Sequence, residues 1–169
     1  MILNVLKIPD PRLKEIASEV SPEEQNEEEL QKFIDDLIET MYNCPGGIGI
    51  SSPQVGVPKR IIVVDARNNK KTTLTHGLIV LINPKITYSE GKVIVREGCI
   101  SIPDYTGNVE RSAKIVVRGL DRQFRETEIE TEGMEAVVIQ HEIDHLDGIL
   151  FIDRIKNLHT DLFRRKKYL

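Results

Sequence analysis

The segment His-Glu-Ile-Asp-His at positions 141–145 most constrains what this chain can fold into. Two histidines four residues apart lie on one face of an α-helix, so both imidazoles can reach a single metal ion. Met134 and Val138 continue the same stripe toward the core, and Glu142 beside the first histidine can contact a metal-bound water. The alternative is that the two histidines only pack in the core. That alternative would bury the Glu142 carboxylate without a partner, which is costly. The segment therefore predicts a helix over about 132–146 that holds a metal ion.

A catalytic metal ion needs a third protein ligand and one open position. The extended motif with a third histidine fails because residue 151 is phenylalanine, and no glutamate follows the motif. Asp153 and Asp161 remain candidates downstream. Upstream, Cys99 offers a thiolate within Glu-Gly-Cys-Ile-Ser, at the end of a predicted strand. The alternatives for Cys99 are a small buried apolar residue or a disulfide with Cys44.

A glycine-rich segment, Gly-Ile-Gly-Ile-Ser-Ser-Pro-Gln at positions 47–54, is the next candidate feature. It lacks the G-x-x-x-x-G-K-[ST] pattern of a phosphate-binding loop. Its alternating glycines instead allow another chain to lie close to this backbone, and Gln54 adds an amide donor. A glycine turn followed by a surface glutamine is the alternative interpretation.

Length and composition limit the class of protein. The chain has 169 residues, which indicates a single domain over 1–169. With 40% apolar and 30% charged residues and no apolar run near the ~20 residues of a membrane helix, a soluble globular chain is expected, without membrane insertion. The start of the chain has no signal or transit peptide pattern, and two cysteines are too few for a disulfide framework, so a cytoplasmic location is expected. A net charge of −4 argues against direct DNA binding.

Local patterns predict an α+β fold with a largely antiparallel sheet, because helices flank the strands instead of alternating with them. A cap and first-turn proline predict a short helix from Asp10 to about Ser18. Ser21 and Glu24 have capping-box spacing and predict the start of a longer helix that ends before Pro45. Gly148 is expected to cap the helix of the histidine motif. Apolar and β-branched runs predict strands at 61–64, 78–82, 92–96, 113–117 and 125–130.

The last 16 residues, 154–169, contain six lysines and arginines against one acid, Asp161. Leu162, Phe163 and Leu169 make this basic tail amphipathic. One interpretation is a solvated final helix with its cations at the negative end of the helix dipole. The other is a surface that docks on an anionic partner such as RNA.

Taken together, segments 47–54, 97–101 and 140–146 resemble, in order and spacing, the three signature motifs of the peptide deformylase family. The resemblance covers essentially the whole chain, from the segment 8–13 onward. Four positions depart from the family's usual residues: Ser51 and Ser52 stand in place of alanines, Ile100 in place of a leucine, and Asp104 in place of a glycine.

The resemblance implies a metal-dependent hydrolase that removes the N-formyl group from the N-terminal formylmethionine of newly synthesised polypeptides and releases formate. By matching motif positions, it implies Cys99, His141 and His145 as ligands of one metal ion per chain, with Glu142 as general acid and base. It implies Fe²⁺ as the native ion, with Zn²⁺, Ni²⁺ or Co²⁺ able to replace it. The expected architecture is a set of antiparallel sheets around the central helix of the histidine motif, with a short C-terminal helix.

The same matching assigns supporting roles. The Gln54 amide and the Ile100 backbone N–H are implied as donors to the formyl oxygen, where charge develops during the reaction. Glu97 is implied to pair with an arginine, for which Arg111 is the candidate, and to hold the cysteine strand in place. An ordinary surface glutamate is the alternative for Glu97.

Substrate contacts are expected along the glycine-rich segment and the motif helix. The edge formed by residues 47–50 can pair with a peptide backbone as an added strand. Ile48, Gly49, Val137 and Val138 are the expected substrate-binding residues, with the apolar side chains lining a methionine pocket.

The expected partners are nascent N-formylmethionyl peptides and the ribosome. Docking on the ribosome is assigned to four cations of the tail: Arg164, Arg165, Lys166 and Lys167.

Two other functions remain open at this point. One is a metallopeptidase that uses Asp153 or Asp161 as its third ligand. The other is a binding module built around a closed structural zinc site, against which Glu142 argues, because a structural site needs no general base.

Overall fold

The computed structural model describes residues 1–25 and 27–166. Helices α1 to α3 are Glu28–Asn43, Gly133–Leu146 and Leu158–Asp161. Short 3₁₀ turns are Pro11–Lys14, Pro22–Glu24, Ser52–Val55 and Phe151–Arg154. Strands β1 to β8 are Gly49–Ser51, Ile61–Asp65, Leu78–Glu90, Val93–Cys99, Ile102–Arg111, Lys114–Leu120, Glu126–Glu132 and Leu162–Arg164.

The strands form two antiparallel sheets. One has five strands in the order β1-β2-β3-β6-β7, and the other has three in the order β4-β5-β8. With few helices beside them, this architecture confirms the predicted α+β class.

Strand β2 of the five-stranded sheet is buried on both faces. All five of its residues are buried. Ile62 and Val64 belong to the core cluster that includes the apolar side chains of α2, whereas Ile61 and Val63 belong to the cluster of α1. Successive strand residues point to opposite faces, so one helix covers each side of the strand. Helix α2, buried from Glu135 to Leu146, therefore lies at the centre of the molecule.

The second sheet packs through a separate apolar cluster. Cys99, Ile102 and Val109 from its strands join Phe151 and Ile155 of the segment that follows α2. This cluster brings the end of β4 close to the end of α2, which is the feature that positions the candidate site.

Most of the predicted elements are confirmed. Their bounds shift by a few residues, except that β3 continues eight residues beyond the predicted strand at 78–82. The five predicted strands correspond to β2, β3, β4, β6 and β7, and the two long helices to α1 and α2. Gly148 follows α2 with a φ of +71°, as expected of a glycine that caps the C-terminal end of a helix.

The two predictions near the N-terminus are partly wrong. The helix expected from Asp10 to Ser18 is a single 3₁₀ turn, because Ser18 is extended and forms a parallel bridge with Lys59. The capping box of Ser21 and Glu24 is present, but it caps only the turn Pro22–Glu24. Helix α1 starts four residues later.

The predicted C-terminal helix is short, and residues 162–166, the described part of the tail beyond it, are not helical. Helix α3 ends at Asp161, and β8 follows it directly. Backbone groups of Leu162–Arg164 pair with the edge of β5 instead of continuing the helix. Strand β5 was also not predicted from the sequence. Lys167 and Leu169 lie outside the described residues.

None of the helices in the described ranges combines the length and the apolar character that a membrane-spanning segment requires.

Candidate metal centre

Three side chains that donate metal ligands meet where β4 ends against α2. One ligand atom from each of Cys99, His141 and His145 lies within 4.8 Å of the others, and all three residues are buried. The Cys99 Sγ and the His145 Nε2 are 3.4 Å apart. The histidines come from successive turns of α2, as their spacing predicts, and the cysteine comes from the other sheet. A thiolate and two imidazoles are a suitable donor set for a divalent transition metal and leave a fourth position open.

The alternative ligands lie elsewhere. Asp153 accepts hydrogen bonds from Lys14 and from the Leu150 backbone N–H. Asp161 accepts a hydrogen bond from the Asn108 amide at 3.1 Å. Both cysteines are free thiols, so the disulfide alternative is not formed. The structure thus groups Cys99 with the two histidines and leaves both aspartates outside the cluster.

Glu97 connects the cluster to a buried arginine. Its Oε1 lies 2.7 Å from the Nδ1 of His141, and Arg111 donates to its two carboxylate oxygens at 2.7 and 2.9 Å. When Nδ1 donates to this carboxylate, Nε2 of the same ring is available to a metal ion. Burial alone would raise the pKa of Glu97, but the hydrogen bonds from Arg111 and His141 outweigh it and lower the pKa to about 2. Glu97 is therefore a charged partner for His141 and not a surface residue.

Asp144 extends this network and was missed in the sequence analysis. Arg111 donates its third hydrogen bond to Asp144, at 2.5 Å, and Arg154 donates two more to the same carboxylate, at 2.5 and 2.8 Å. Burial lowers the pKa of Arg111, but the two carboxylates outweigh it and keep the guanidinium charged. The sequence signal was available, because Asp144 lies three residues after His141 and therefore near the same face of the helix.

The amide of Gln54 is held in one orientation. Its Oε1 accepts hydrogen bonds from the backbone N–H and the hydroxyl of Ser51, at 2.9 and 3.1 Å. Its Nε2 donates to the Ser101 hydroxyl at 3.1 Å and lies 3.5 Å from the Cys99 Sγ. Ser51 therefore turns the donor end of the amide toward the cluster. This contact of Ser51, a departure from the family's usual alanine, was not anticipated.

Glu142 lies beside the cluster with one oxygen unpaired. Its Oε1 is buried and has no hydrogen-bond partner among the described residues. Burial is the main cause that raises the pKa of Glu142 to about 7. A carboxyl group with a pKa near neutrality can both accept and return a proton at physiological pH.

Gly49 borders this glutamate closely. A Cβ added at Gly49 would lie 2.7 Å from both the Glu142 Oε2 and the Val138 Cγ1. Only a glycine fits between β1 and α2 here without moving one of these side chains.

These residues share one cavity of about 580 Å³. The predicted substrate-binding residues Ile48, Gly49, Val137 and Val138 line it. Cys99, His141 and Glu142, the Gln54 amide and Ile100 are also in its wall. His145 completes the cluster from behind, where it is almost fully buried. The structure thus brings the predicted residues of all three sequence segments to a single cavity.

Comparisons with known proteins identify the family of this chain. The family model described as polypeptide deformylase matches residues 2–161. A peptide deformylase from Thermodesulfovibrio yellowstonii is 50% identical over 165 residues, which cover 98% of this chain and 96% of that protein. A crystal structure of a peptide deformylase from Legionella pneumophila superposes with a TM-score of 0.83 at 40% identity, covering 94% of this chain and 88% of that one. A class I type b peptide deformylase from Acinetobacter baumannii, crystallised with Met-Ala-Ser, gives a TM-score of 0.86 at 37% identity, covering 92% and 99% of the two chains.

Proposed function

Because the chain belongs to the polypeptide deformylase family, we propose that Cys99, His141 and His145 hold the catalytic metal ion, one ion per chain. The chain is a metal-dependent hydrolase that removes the N-formyl group from the N-terminal formylmethionine of new polypeptides and releases formate. The observation that carries the assignment of the ligands is the meeting of one thiol and two imidazoles within 4.8 Å in a buried cavity. A single catalytic domain over 1–169 is part of the proposal.

A divalent ion bound to these ligands supplies a water of lowered pKa and a Lewis acid beside the formyl group. Glu142 takes the proton of the attacking water and passes it to the leaving amine nitrogen. Its unpaired, buried Oε1 supports this role, because the carboxylate has an acceptor free for that proton. The expected cost of Glu142→Ala is about 10²–10⁴-fold in turnover, with the metal content unchanged.

The formyl oxygen gains negative charge as the carbonyl carbon becomes tetrahedral. The Gln54 amide and the backbone N–H of Ile100 donate to this oxygen in the proposed mechanism. The hydrogen bonds from Ser51 to the Gln54 Oε1 support it, because they orient the amide before the substrate binds.

The substrate peptide lies along β1. This strand is at one end of the five-stranded sheet, so one of its edges can accept an added strand. Ile48, Val137 and Val138 provide apolar wall for the methionine side chain, while Gly49 allows close approach of the peptide backbone. The Acinetobacter baumannii protein was crystallised with Met-Ala-Ser, which supports a peptide as the ligand of this chain.

Fe²⁺ is the proposed physiological ion, by the resemblance to the family, and Zn²⁺, Ni²⁺ or Co²⁺ can replace it. Thiolate and imidazole ligands suit several of these ions, so the donor set does not choose among them. The proposal predicts that the iron-loaded enzyme loses activity in air, whereas the nickel-loaded enzyme keeps it. Metal analysis beside each assay tests this assignment.

The proposal also includes a cytoplasmic location, where new polypeptides are made, and docking on the ribosome. Exposed tail cations, Arg164 and Lys166, support docking on an anionic surface, and Lys167 lies outside the described residues. Arg165 lines the cavity instead and is removed from the docking surface. Replacing Arg164 and Lys166 by glutamine is expected to weaken ribosome binding and to reduce its dependence on salt. Unchanged affinity would contradict docking through the tail.

The decisive experiment is formate release from N-formyl-Met-Ala by anaerobic, iron-loaded enzyme, with N-acetyl-Met-Ala beside it. Rapid turnover of the formyl peptide alone is the expected result. Cys99→Ala is expected to lose both the metal and the activity, whereas a peptidase with an aspartate ligand would keep its metal. A wild-type enzyme with one metal per chain and no turnover would contradict the proposed roles.

A further inference from the structure

The end of the chain places one arginine in the wall of the catalytic cavity. Strand β8 pairs with β5. The backbone N–H of Arg165 donates to the backbone carbonyl oxygen of Asp104 at 2.8 Å, which extends this pairing by one residue. Neighbouring residues of an extended segment point to opposite sides. Accordingly, Arg164 is exposed, whereas Arg165 is half-buried and lines the cavity.

The guanidinium of Arg165 lies directly over Gly98, the residue before Cys99. A Cβ added at Gly98 would lie 2.5 Å from the Arg165 Nη2, so the absence of a side chain there makes room for the cation. The Arg165 Nε atom is buried and has no hydrogen-bond partner among the residues that the structure describes. Within residues 1–25 and 27–166, no carboxylate forms an ion pair with this guanidinium. A partly desolvated cation with no ion pair in the described part of the chain gains strongly from an anionic partner.

The surrounding charges point to the sign of that partner. Lys7, Lys71 and Arg96 line the same cavity, and none of them forms an ion pair within the described part of the chain. The carboxylates in the wall do not offset these cations: both oxygens of Glu97 bind Arg111, and Glu142 is buried beside the metal ligands. The mouth of the cavity is therefore cationic and attracts negative charge.

The chemistry of the substrate shows where such a charge comes from. The formyl group masks the amino terminus, so the first residue brings no charge to the cavity. Negative charge then comes from a carboxylate further along the peptide. An extended peptide advances ~3.3 Å per residue. With the formyl group beside Cys99, a guanidinium over the adjacent Gly98 is within reach of about the second or third residue.

We propose that Arg165 is a specificity-determining residue that binds a carboxylate of the substrate just downstream of the formylmethionine. The proposal rests on the proposed function, which places the formyl group at the cluster of Cys99, His141 and His145. The carboxylate belongs either to an acidic side chain or, in very short peptides, to the C-terminus. An RNA phosphate is a poorer fit, because the guanidinium lies within a concave cavity and not on the exposed face of the tail that presents Arg164.

The test compares kcat/KM for amidated peptides that differ at one position: formyl-Met-Ala-Glu, formyl-Met-Ala-Gln and formyl-Met-Ala-Lys. For the wild type we expect kcat/KM to be roughly three- to tenfold higher for the Glu peptide than for the Gln peptide, which is the range of a partly buried ion pair. We expect the Lys peptide to be a poorer substrate than the Gln peptide. Arg165→Gln is expected to bring the Glu-to-Gln ratio close to one, with the change in KM and not in kcat, because this contact is the same in the ground and transition states. The preference should also weaken in 0.5 M salt.

Two variants control for loss of charge and for loss of structure. Arg164→Gln removes the same charge from the opposite face of the strand and is expected to leave the ratio at its wild-type value. Arg165→Lys keeps the charge without the planar fork and is expected to retain part of the preference. Thermal unfolding of each variant shows whether β8 is retained.

A second pair of substrates, formyl-Met-Ala as free acid and as amide, separates the two sources of the carboxylate. A response to Arg165→Gln in this pair alone assigns the contact to the chain terminus. Equal ratios in the wild type and Arg165→Gln overturn the proposal, as does an equal loss in Arg164→Gln. Loss of binding to an RNA oligonucleotide with no change in the peptide ratios overturns it in favour of RNA. Turnover of the neutral Gln peptide by the wild type tests the proposed function separately.

Discussion

Glu97 binds two groups at once, the guanidinium of Arg111 and the Nδ1 of His141. Glu97→Gln keeps the shape of the side chain but removes the charge that orients the imidazole. We expect the affinity for the metal ion to fall about 10–100-fold, as is usual when such a hydrogen-bond partner of a ligand is removed. Competition with a chelator measures the change. Glu110→Gln is the matched control, because Glu110 pairs only loosely, at 3.5 Å, with the exposed Lys156. Equal affinities in the two variants would contradict this role of Glu97.

Gly49 lets strand β1 approach helix α2 more closely than any residue with a Cβ would allow. In Gly49→Ala the new methyl group meets the Glu142 carboxylate and the Val138 side chain, both at 2.7 Å, so the general base must move. A displacement of this size costs about 10²-fold in kcat/KM, while the metal content should stay normal because no ligand is touched. The double variant Gly49→Ala/Val138→Ala lacks the clash with the Val138 side chain but keeps the clash with the Glu142 carboxylate. Activity there should stay low relative to Val138→Ala alone; full recovery would show that Glu142 is not displaced.

Between elements, Asp65 joins the end of β2 to helix α1. It accepts hydrogen bonds from the Tyr42 hydroxyl at 2.5 Å and from the Arg67 guanidinium at 2.6 Å. The bonds from Arg67 are the largest cause, and with that from Tyr42 they outweigh burial and lower the pKa of Asp65 from 3.8 to about 2. A carboxyl group with a depressed pKa contributes stability above its unfolded pKa, and the contribution is lost as the pH falls through the folded value. Since Arg67 is half exposed, we take the contribution at neutral pH as about 1–2 kcal/mol.

Asp65→Asn should therefore lower the free energy of unfolding by about 1–2 kcal/mol at pH 7, and the difference from the wild type should shrink between pH 4 and pH 2. Urea unfolding at several pH values measures this. Asp35→Asn, at an exposed pair with Arg122, should change stability by less than about 0.5 kcal/mol. A difference for Asp65→Asn that does not depend on pH would contradict the electrostatic account.

Elements with strong local patterns were predictable, and those that depend on distant partners were not. Helix α2 was predicted because its apolar stripe, its histidine spacing and its closing glycine agree with one another. Strand β5 was missed because Pro103, Asp104, Gly107 and Asn108 are typical of turns and interrupt its pattern. Pairing with β4 makes the segment a strand. In β8 three residues pair with a strand more than fifty positions earlier, which no local pattern reports.

For the molecule as a whole, the residues of the site were predictable but their meeting was not. The three sequence motifs give the residue types, whereas the meeting of Cys99 with His141 and His145 requires the three-stranded sheet to pack against the end of α2. Arg165 shows the same limit. As sequence it belongs to a run of cations, and only the pairing of β8 with β5 separates its face from that of Arg164.

This arrangement predicts how the metal ion affects stability. Its ligands come from both parts of the fold, with Cys99 on the three-stranded sheet and the histidines on the helix packed against the five-stranded sheet. An ion bound only by the folded chain stabilises it by about 2.7 kcal/mol at 100 times its Kd. For a chain of this size that corresponds to a Tm difference of roughly 5–10 °C. Anaerobic calorimetry before and after chelation measures it. In Cys99→Ala the metal site has no ligand from the three-stranded sheet and is expected to lose the ion, so chelation should leave Tm nearly unchanged. An equal drop in that variant would mean that the ion binds elsewhere and does not join the two sheets.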